Sequence, residues 1–223
     1  INPIITGSTG MVGKAVLIEC LENKRVEKIL LINRKKVGLT HPKIKEILLS
    51  DFSKLNSIKK HFSDYNACFH CMGISALGVS ERTYKKVIFD ITKSLVDILY
   101  SINKNIVFNF VSGEYTDTSE KGHIMWARVK GMTENYILNK GFKNSFMFRL
   151  GFMIPEKGIN SRTRIYNFLY YLTKPIFPIL KISKNITTTT KLGEAMINTM
   201  FTSSKLVYLS NKEINILANE ELN

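Results

Sequence analysis

Three glycines spaced G-x-x-G-x-x-G, Gly7, Gly10 and Gly13, stand between an apolar run, Ile1 to Thr6, and a segment of helical periodicity. A bound phosphate needs that order: a strand, a tight turn, then the free N–H groups and positive dipole end of a helix. In such a turn Gly7 permits the reversal, Gly10 lets backbone approach a pyrophosphate and Gly13 lets the helix pack on its strand. Ser8, Thr9, Met11 and Val12 complete the candidate set. The spacing is one residue longer than the commonest dinucleotide pattern, so the strand and helix around it carry the assignment. About twenty residues further on, where an acid would bind a ribose 2′-hydroxyl, the chain reads Asn33-Arg34-Lys35. No carboxylate stands there. Arg34 can fork onto a 2′-phosphate and Lys35 adds charge, so the expected cofactor is NADP(H) in preference to NAD(H). Asp51 and Phe52 are expected beside the adenine, and Cys71-Met72-Gly73 are expected to bring backbone alongside the cofactor.

These residues need a scaffold that brings strand ends together. Short apolar runs recur at Ile4-Ile5, Val26 to Ile32, Ile47 to Leu49, Ala67 to Met72, Ile106 to Val111 and Phe146 to Leu150. Helical spacing follows several of them, as in Val12, Ala15, Val16, Leu17, Cys20 and Leu21. The alternation predicts an α/β fold: a Rossmann-type doubly wound parallel sheet with a small C-terminal substrate-side extension. A single domain spans 1–223, its core at 1–150 and the extension at 151–223. Further helices are expected at Ser80 to Ser101, Met125 to Leu138, Ser161 to Thr173 and Thr190 to Phe201. Pro3 has no N–H for a ladder and belongs at the first residues of its strand.

The chain of 223 residues carries a net charge of +14 and is 44% hydrophobic, which suits one globular domain and excludes collagen-like, low-complexity and disordered classes. Three cysteines, Cys20, Cys68 and Cys71, are too few and odd in number for a disulfide framework, so a reducing, cytoplasmic compartment is expected. No run reaches the roughly 18 apolar residues of a membrane span, and no charged-then-apolar leader precedes the first strand; the missing initiator Met leaves room for a trimmed one. The lysines are scattered without interleaved aromatics, so nucleic acid is not a favoured partner. Cys68-x-x-Cys71 lies in an inferred strand, where residues three apart face opposite ways, and so holds no metal. The aromatic stretch Ile165 to Ile182 reads as a wall around a small apolar substrate or a face for a protein partner, ahead of an interfacial membrane helix.

Taken in order, Thr6-Gly7 to Gly13, Cys71-Met72-Gly73, Val111-Ser112-Gly113, Arg128-Val129-Lys130-Gly131 and Phe148-Arg149-Leu150-Gly151 resemble the extended and atypical short-chain dehydrogenase/reductases. The likeness is greatest to the atypical subgroup of the human Tat-interacting oxidoreductase and its bacterial relatives. The resemblance implies a Ser that polarises a substrate carbonyl, a Tyr that moves the proton, and a Lys four residues later that holds the nicotinamide ribose. Ser112 and Lys130 match the Ser and the Lys. Trp126 stands where the Tyr is expected, and an indole N–H neither accepts nor releases a proton in the accessible range. Tyr115, or His123, is the candidate replacement if the loop from Gly113 to Ile124 folds over the nicotinamide. Two functions follow: an oxidoreductase acting on a carbonyl or alcohol, or a non-catalytic NADP(H)-dependent sensor or scaffold for a protein partner.

Overall fold

Proline opens the first strand of the computed structural model, which describes residues 1–160, 174–203 and 205–220. Six strands follow in chain order, β1 (Pro3–Thr6), β2 (Ile29–Asn33), β3 (Ile44–Leu48), β4 (Ala67–His70), β5 (Val107–Gly113) and β6 (Asn144–Leu150). Two short strands, β7 (Met153–Ile154) and β8 (Thr187–Thr188), pair with each other, and β9 (Tyr208–Leu209) adds to β6. The main sheet is parallel throughout, in the order β3-β2-β1-β4-β5-β6-β9. The chain therefore reverses its direction of winding between β1 and β4, and such a switch point opens a crevice at the carboxyl ends of the strands. Ile4 lies opposite both Leu30 and Cys68, and Thr6 opposite both Ile32 and His70. Every residue of β1, β2 and β4 is buried, because both faces of a parallel sheet are covered.

On one face Ile4, Leu30, Cys68, Phe108 and Phe110 meet the 3-10 segment Phe52–His61 and the helices α2 (Glu81–Lys85), α3 (Ile91–Ile102) and α4 (Met125–Lys140). On the other, Ile5, Leu31, Phe69, Phe146 and Phe148 meet α1 (Met11–Glu22). Cys68 and Cys71 pack on opposite faces, and all three thiols are free. The expected α/β doubly wound sheet is thus the observed one. The helix expected at Ser80 to Ser101 is interrupted by a π-helical turn, Lys86–Asp90, between α2 and α3.

The tail packs into the core. Its helix Thr189–Asn198 packs on α1, and Leu192, Met196, Leu209, Ile214 and Leu217 belong to the same buried cluster as Ile5 and Phe69. Gly193 makes the approach possible, since a Cβ there would sit 2.4 Å from Glu19 Cγ. The expected helix Ser161 to Thr173, and with it the part of the aromatic stretch before Lys174, lie outside the described residues. Among the described residues no helix is long and apolar enough to cross a membrane.

Candidate functional site

The glycine turn is built by close backbone approach. Gly7 adopts φ +73°, in the left-handed region, and a Cβ on it would lie 2.8 Å from Cys71 O and Met72 N, so the ends of β1 and β4 touch only because it is glycine. Gly13 is tighter still, with a Cβ there falling 2.3 Å from Gly7 O. Gly10 N–H donates to Gly7 O at 2.9 Å and Lys14 N–H to Gly10 O at 2.8 Å. The N–H groups of Met11, Val12 and Gly13 therefore have no intrahelical acceptor. No side chain caps α1 and no acid occupies its first turn, which leaves those donors and the positive dipole end for an anion. Ser8 is fully buried, and its hydroxyl is bonded to Asn33 rather than turned outward. Asn33 Nδ2 donates to Ser8 Oγ (2.8 Å) and to Glu46 Oε1 (2.8 Å), and the same Glu46 oxygen accepts the Val37 N–H (2.9 Å). Ser8, Asn33 and Glu46 thus lock the glycine turn to the loop that carries Arg34 and Lys35.

That loop forms one wall of a groove of about 470 Å³, lined also by Gly7, Thr9, Gly10, Ser50, Phe52 and the Cys71-Met72-Gly73 backbone. Past Gly10, Arg34 and Gly73 it opens into a second space of about 920 Å³, walled by Met11, Val12, Ile74 to Leu77, Tyr84, Ile88, Val111, Trp126 and Lys130. All the predicted residues line this groove but five: Ser8 and Gly13, packed behind the turn, and Asp51, Ser112 and Tyr115. Asp51 is exposed and accepts the Ser53 N–H, which lowers its pKa and caps the 3-10 segment; its neighbours Ser50 and Phe52 line the groove instead. Ser112 is 2% exposed and its Oγ lies 2.8 Å from Thr116 Oγ1, a pairing behind the wall. Tyr115 is 74% exposed and does not line the groove, nor does His123.

At the far end α4 presents Trp126 and Lys130 one turn apart. An added Cβ on Gly113 would meet the Trp126 ring at 3.1 Å and Lys130 Nζ at 3.7 Å. The strand-end position facing this pair is therefore glycine, without a hydroxyl, and the indole closes over it. Desolvation lowers the Lys130 pKa to about 8, with the Glu134 carboxylate pulling the other way. For a lysine depressed on folding, the unfolded chain binds the extra proton, so its stability cost is full below the folded pKa and fades toward the unfolded value near 10.4. Lys130→Met is accordingly expected to raise the melting temperature of the ligand-free protein at pH 7, with the gain vanishing by about pH 10. A gain that does not depend on pH would refute the desolvated-lysine account.

Four of these residues were hidden from the sequence. Glu46 reads as the polar face of an exposed strand, Ser50 as a loop residue and Tyr84 as one more apolar position of a helix; Gly113 has no side chain to notice. Only the Ser80 cap, whose side chain accepts the Thr83 N–H, hints that α2 begins where it can reach the groove.

The model of the NAD dependent epimerase/dehydratase family matches residues 4–123. Among curated proteins, "Protein FMP52-1, mitochondrial" of Scheffersomyces stipitis is 24% identical over 189 residues, covering 79% of this chain and 82% of that protein. Among solved structures, Helicobacter pylori ADP-L-glycero-D-manno-heptose-6-epimerase superposes with a TM-score of 0.69 at 14% identity, over 99% of this chain and 81% of its own. A short chain dehydrogenase from Burkholderia cenocepacia in complex with NADP gives 0.65 at 13% identity, over 96% and 90%.

Proposed function

The chain belongs to the NAD dependent epimerase/dehydratase family, and from that premise we propose that its groove binds NADP(H) and that the protein is an oxidoreductase acting on a carbonyl or alcohol. The observation that carries this reading is the continuity of the groove. An uncapped helix N-terminus behind Gly10 sits between a basic end, Arg34 and Lys35, and an end where the desolvated Lys130 waits without a hydrogen-bond partner among the described residues. The Met11, Val12 and Gly13 N–H groups would hold the pyrophosphate, Phe52 and Ser50 would flank the adenine, and Lys130 would hold the hydroxyls of the nicotinamide ribose. When bound, the dinucleotide supplies or receives the hydride; the chain orients it, shields it and moves the proton. Ser112 acts from behind the wall, holding the end of β5 through Thr116. The three unpaired cysteines, two of them fully buried, suit a reducing compartment such as the cytoplasm.

The family's name speaks of NAD and the Burkholderia relative holds NADP, so the cofactor preference rests on Arg34. In a thermal-shift titration NADPH is expected to stabilise the protein more than NADH. Arg34→Ala is expected to weaken NADPH by about 10- to 100-fold and to leave NADH nearly unchanged, the size of a lost charge-assisted hydrogen bond. Equal shifts with both cofactors would remove the NADP preference, and no shift with either would remove the cofactor. The second reading, an NADP(H)-dependent sensor for a protein partner, is favoured by Trp126 and by the bare Gly113 beside it; binding without turnover of any aldehyde, ketone or quinone is its signature.

A further inference from the structure

The proposed reduction lacks a proton donor. Trp126 occupies the position of the expected tyrosine, Ser112 is bonded to Thr116, and Tyr115 points to solvent. Two residues with hydroxyls line the same space, and one of them, Ser75, is exposed and accepts the Leu77 N–H on its Oγ. Tyr84, on α2, walls the larger part of the groove together with Trp126 and Lys130. Its ring is 2% exposed and packed in the core, yet no described group hydrogen-bonds to its hydroxyl. Nor is that hydroxyl among the enclosed polar atoms without a partner, which places it at the groove surface. A buried tyrosine O–H ordinarily finds a partner, so an open one aimed at a cavity points to a ligand.

The position is held from both sides. Glu81, three residues earlier, pairs with Arg128 of α4 at 2.9 Å, two residues before Lys130, and so fastens α2 against the helix that carries the lysine. Immediately after Tyr84 the chain turns through the π-helical residues Lys86–Asp90, an irregularity common at functional sites. Its carbonyl at Ile88 accepts the Thr92 hydroxyl at 2.5 Å, and Thr92 Oγ1 lies 2.8 Å from His70 Nε2 on β4. Tyr84 is therefore fixed relative to the sheet, as a proton donor must be.

We propose that Tyr84 is the proton donor and acceptor of this site, with Lys130 as the neighbouring cation. The inference rests on the oxidoreductase reading above. In the reduction a hydride supplied by the reduced nicotinamide dinucleotide forms the new C–H bond at the carbonyl carbon. The C=O π pair moves onto oxygen, which takes the proton of the Tyr84 O–H as that bond breaks. The phenolate left behind is balanced by the Lys130 ammonium and recovers a proton from solvent through the groove. Oxidation of the alcohol runs the same transfers backwards. Burial pushes the Tyr84 pKa up to about 12 in the empty groove, so the hydroxyl is protonated and ready to donate at neutral pH.

The test uses the full chain labelled with 3-fluorotyrosine, with the Tyr84 fluorine resonance assigned by its absence in Tyr84→Phe, a change that keeps the buried ring. Saturating NADP+ is expected to move that resonance. Tyr84→Phe is expected to keep the NADPH thermal shift while kcat on an aldehyde, ketone or quinone panel falls by about 100- to 10,000-fold, the range for a lost general acid. Three results overturn the proposal alone: a Tyr84 resonance unmoved by NADP+ that binds, Tyr84→Phe turnover equal to wild type, or loss of turnover on Trp126→Phe instead. Binding without turnover in the wild type overturns the oxidoreductase reading and this proposal together, and absence of binding overturns the cofactor reading beneath both.

Discussion

Gly13→Ala is expected to cost about 3 kcal/mol or more of stability, whereas Gly10→Leu is expected to cost about 1 kcal/mol and to abolish the NADPH thermal shift. The two glycines belong to one motif but do different work. A Cβ on Gly13 would sit 2.3 Å from Gly7 O and 2.9 Å from Ser8 Cα, atoms that cannot rotate away, so α1 must be pushed off β1. Overpacking against side chains costs about 1–3 kcal/mol, and a backbone neighbour puts this case at the upper end. For a chain of this size, that is a fall in melting temperature of roughly 6–12 °C. Gly10 has φ −87°, open to any residue, and its nearest neighbour for a Cβ is Gly7 O at 3.4 Å. Its side chain would extend into the groove it helps to line, where the pyrophosphate is proposed to lie. The expected loss of folding stability is only that of a poor helix N-cap, roughly 2–4 °C. Wild-type protein at 100 times the dissociation constant gains about 2.7 kcal/mol, all of which Gly10→Leu should forfeit. An NADPH shift that survives Gly10→Leu would place the phosphates elsewhere, and an unchanged melting temperature in Gly13→Ala would deny the close packing of turn and helix.

Much of this architecture is legible without coordinates, because parallel strands buried on both faces write themselves as short β-branched runs. β1, β4 and β6 lie where their apolar runs fall, and α4 begins at Met125 as its stripe does. β3 reads later in the sequence than it sits: the run Ile47 to Leu49 marks only its end, and its start, Ile44-Lys45-Glu46, alternates like an exposed strand. The tail defeats the same reading for another reason. β9 has two residues, Tyr208 and Leu209, too few to show a period, and the helix before it, Thr189–Asn198, is buried by contact with α1, a partner almost the whole chain away. Local pattern carries no information on that long-range packing.

The site divides along a similar line. The glycine turn, Arg34, Lys35, Gly73 and Lys130 are legible because backbone conformation and charge leave a local signature. Residues that act through a second side chain do not. The position of Asn33 points to the ribose, but its amide is spent on Ser8 and Glu46, and Glu46 comes from the neighbouring strand. Ser112 is placed correctly at a strand end, yet the alternation of β5 turns it to Thr116 and leaves Gly113 to face Lys130. Tyr84 falls in register with Ile88 and Leu95 on the buried stripe, and only the groove reveals that its polar tip is open.

The largest loss of stability is expected from Arg149→Met, about 3–5 kcal/mol, because it strands a buried charge. Glu134 on α4 is 0% exposed, and Arg149 on β6 reaches it with two bonds, Nη2 to Oε2 at 2.5 Å and Nε to Oε1 at 3.2 Å. The guanidinium also lies 4.1 Å from the centre of the Tyr208 ring, so one side chain fastens α4, β6 and β9. Removing either partner of a buried pair is costly, whereas replacing both by apolar residues is often neutral. Glu134→Leu/Arg149→Met should therefore be far more stable than Arg149→Met alone, a coupling of several kcal/mol in a double-mutant cycle. The pair has a second consequence one turn back along α4, where the Glu134 carboxylate holds the Lys130 pKa up against desolvation. In the doubly substituted protein Lys130 loses that support, so its ionisation, followed by NMR of a labelled lysine side chain, should fall below about 8. If the proposed reaction is right, with the Lys130 ammonium beside Tyr84, turnover should then fail at lower pH than in the wild type. Additive costs in the cycle would show that the ion pair is not a closed unit, and an unmoved Lys130 titration would separate it from the site.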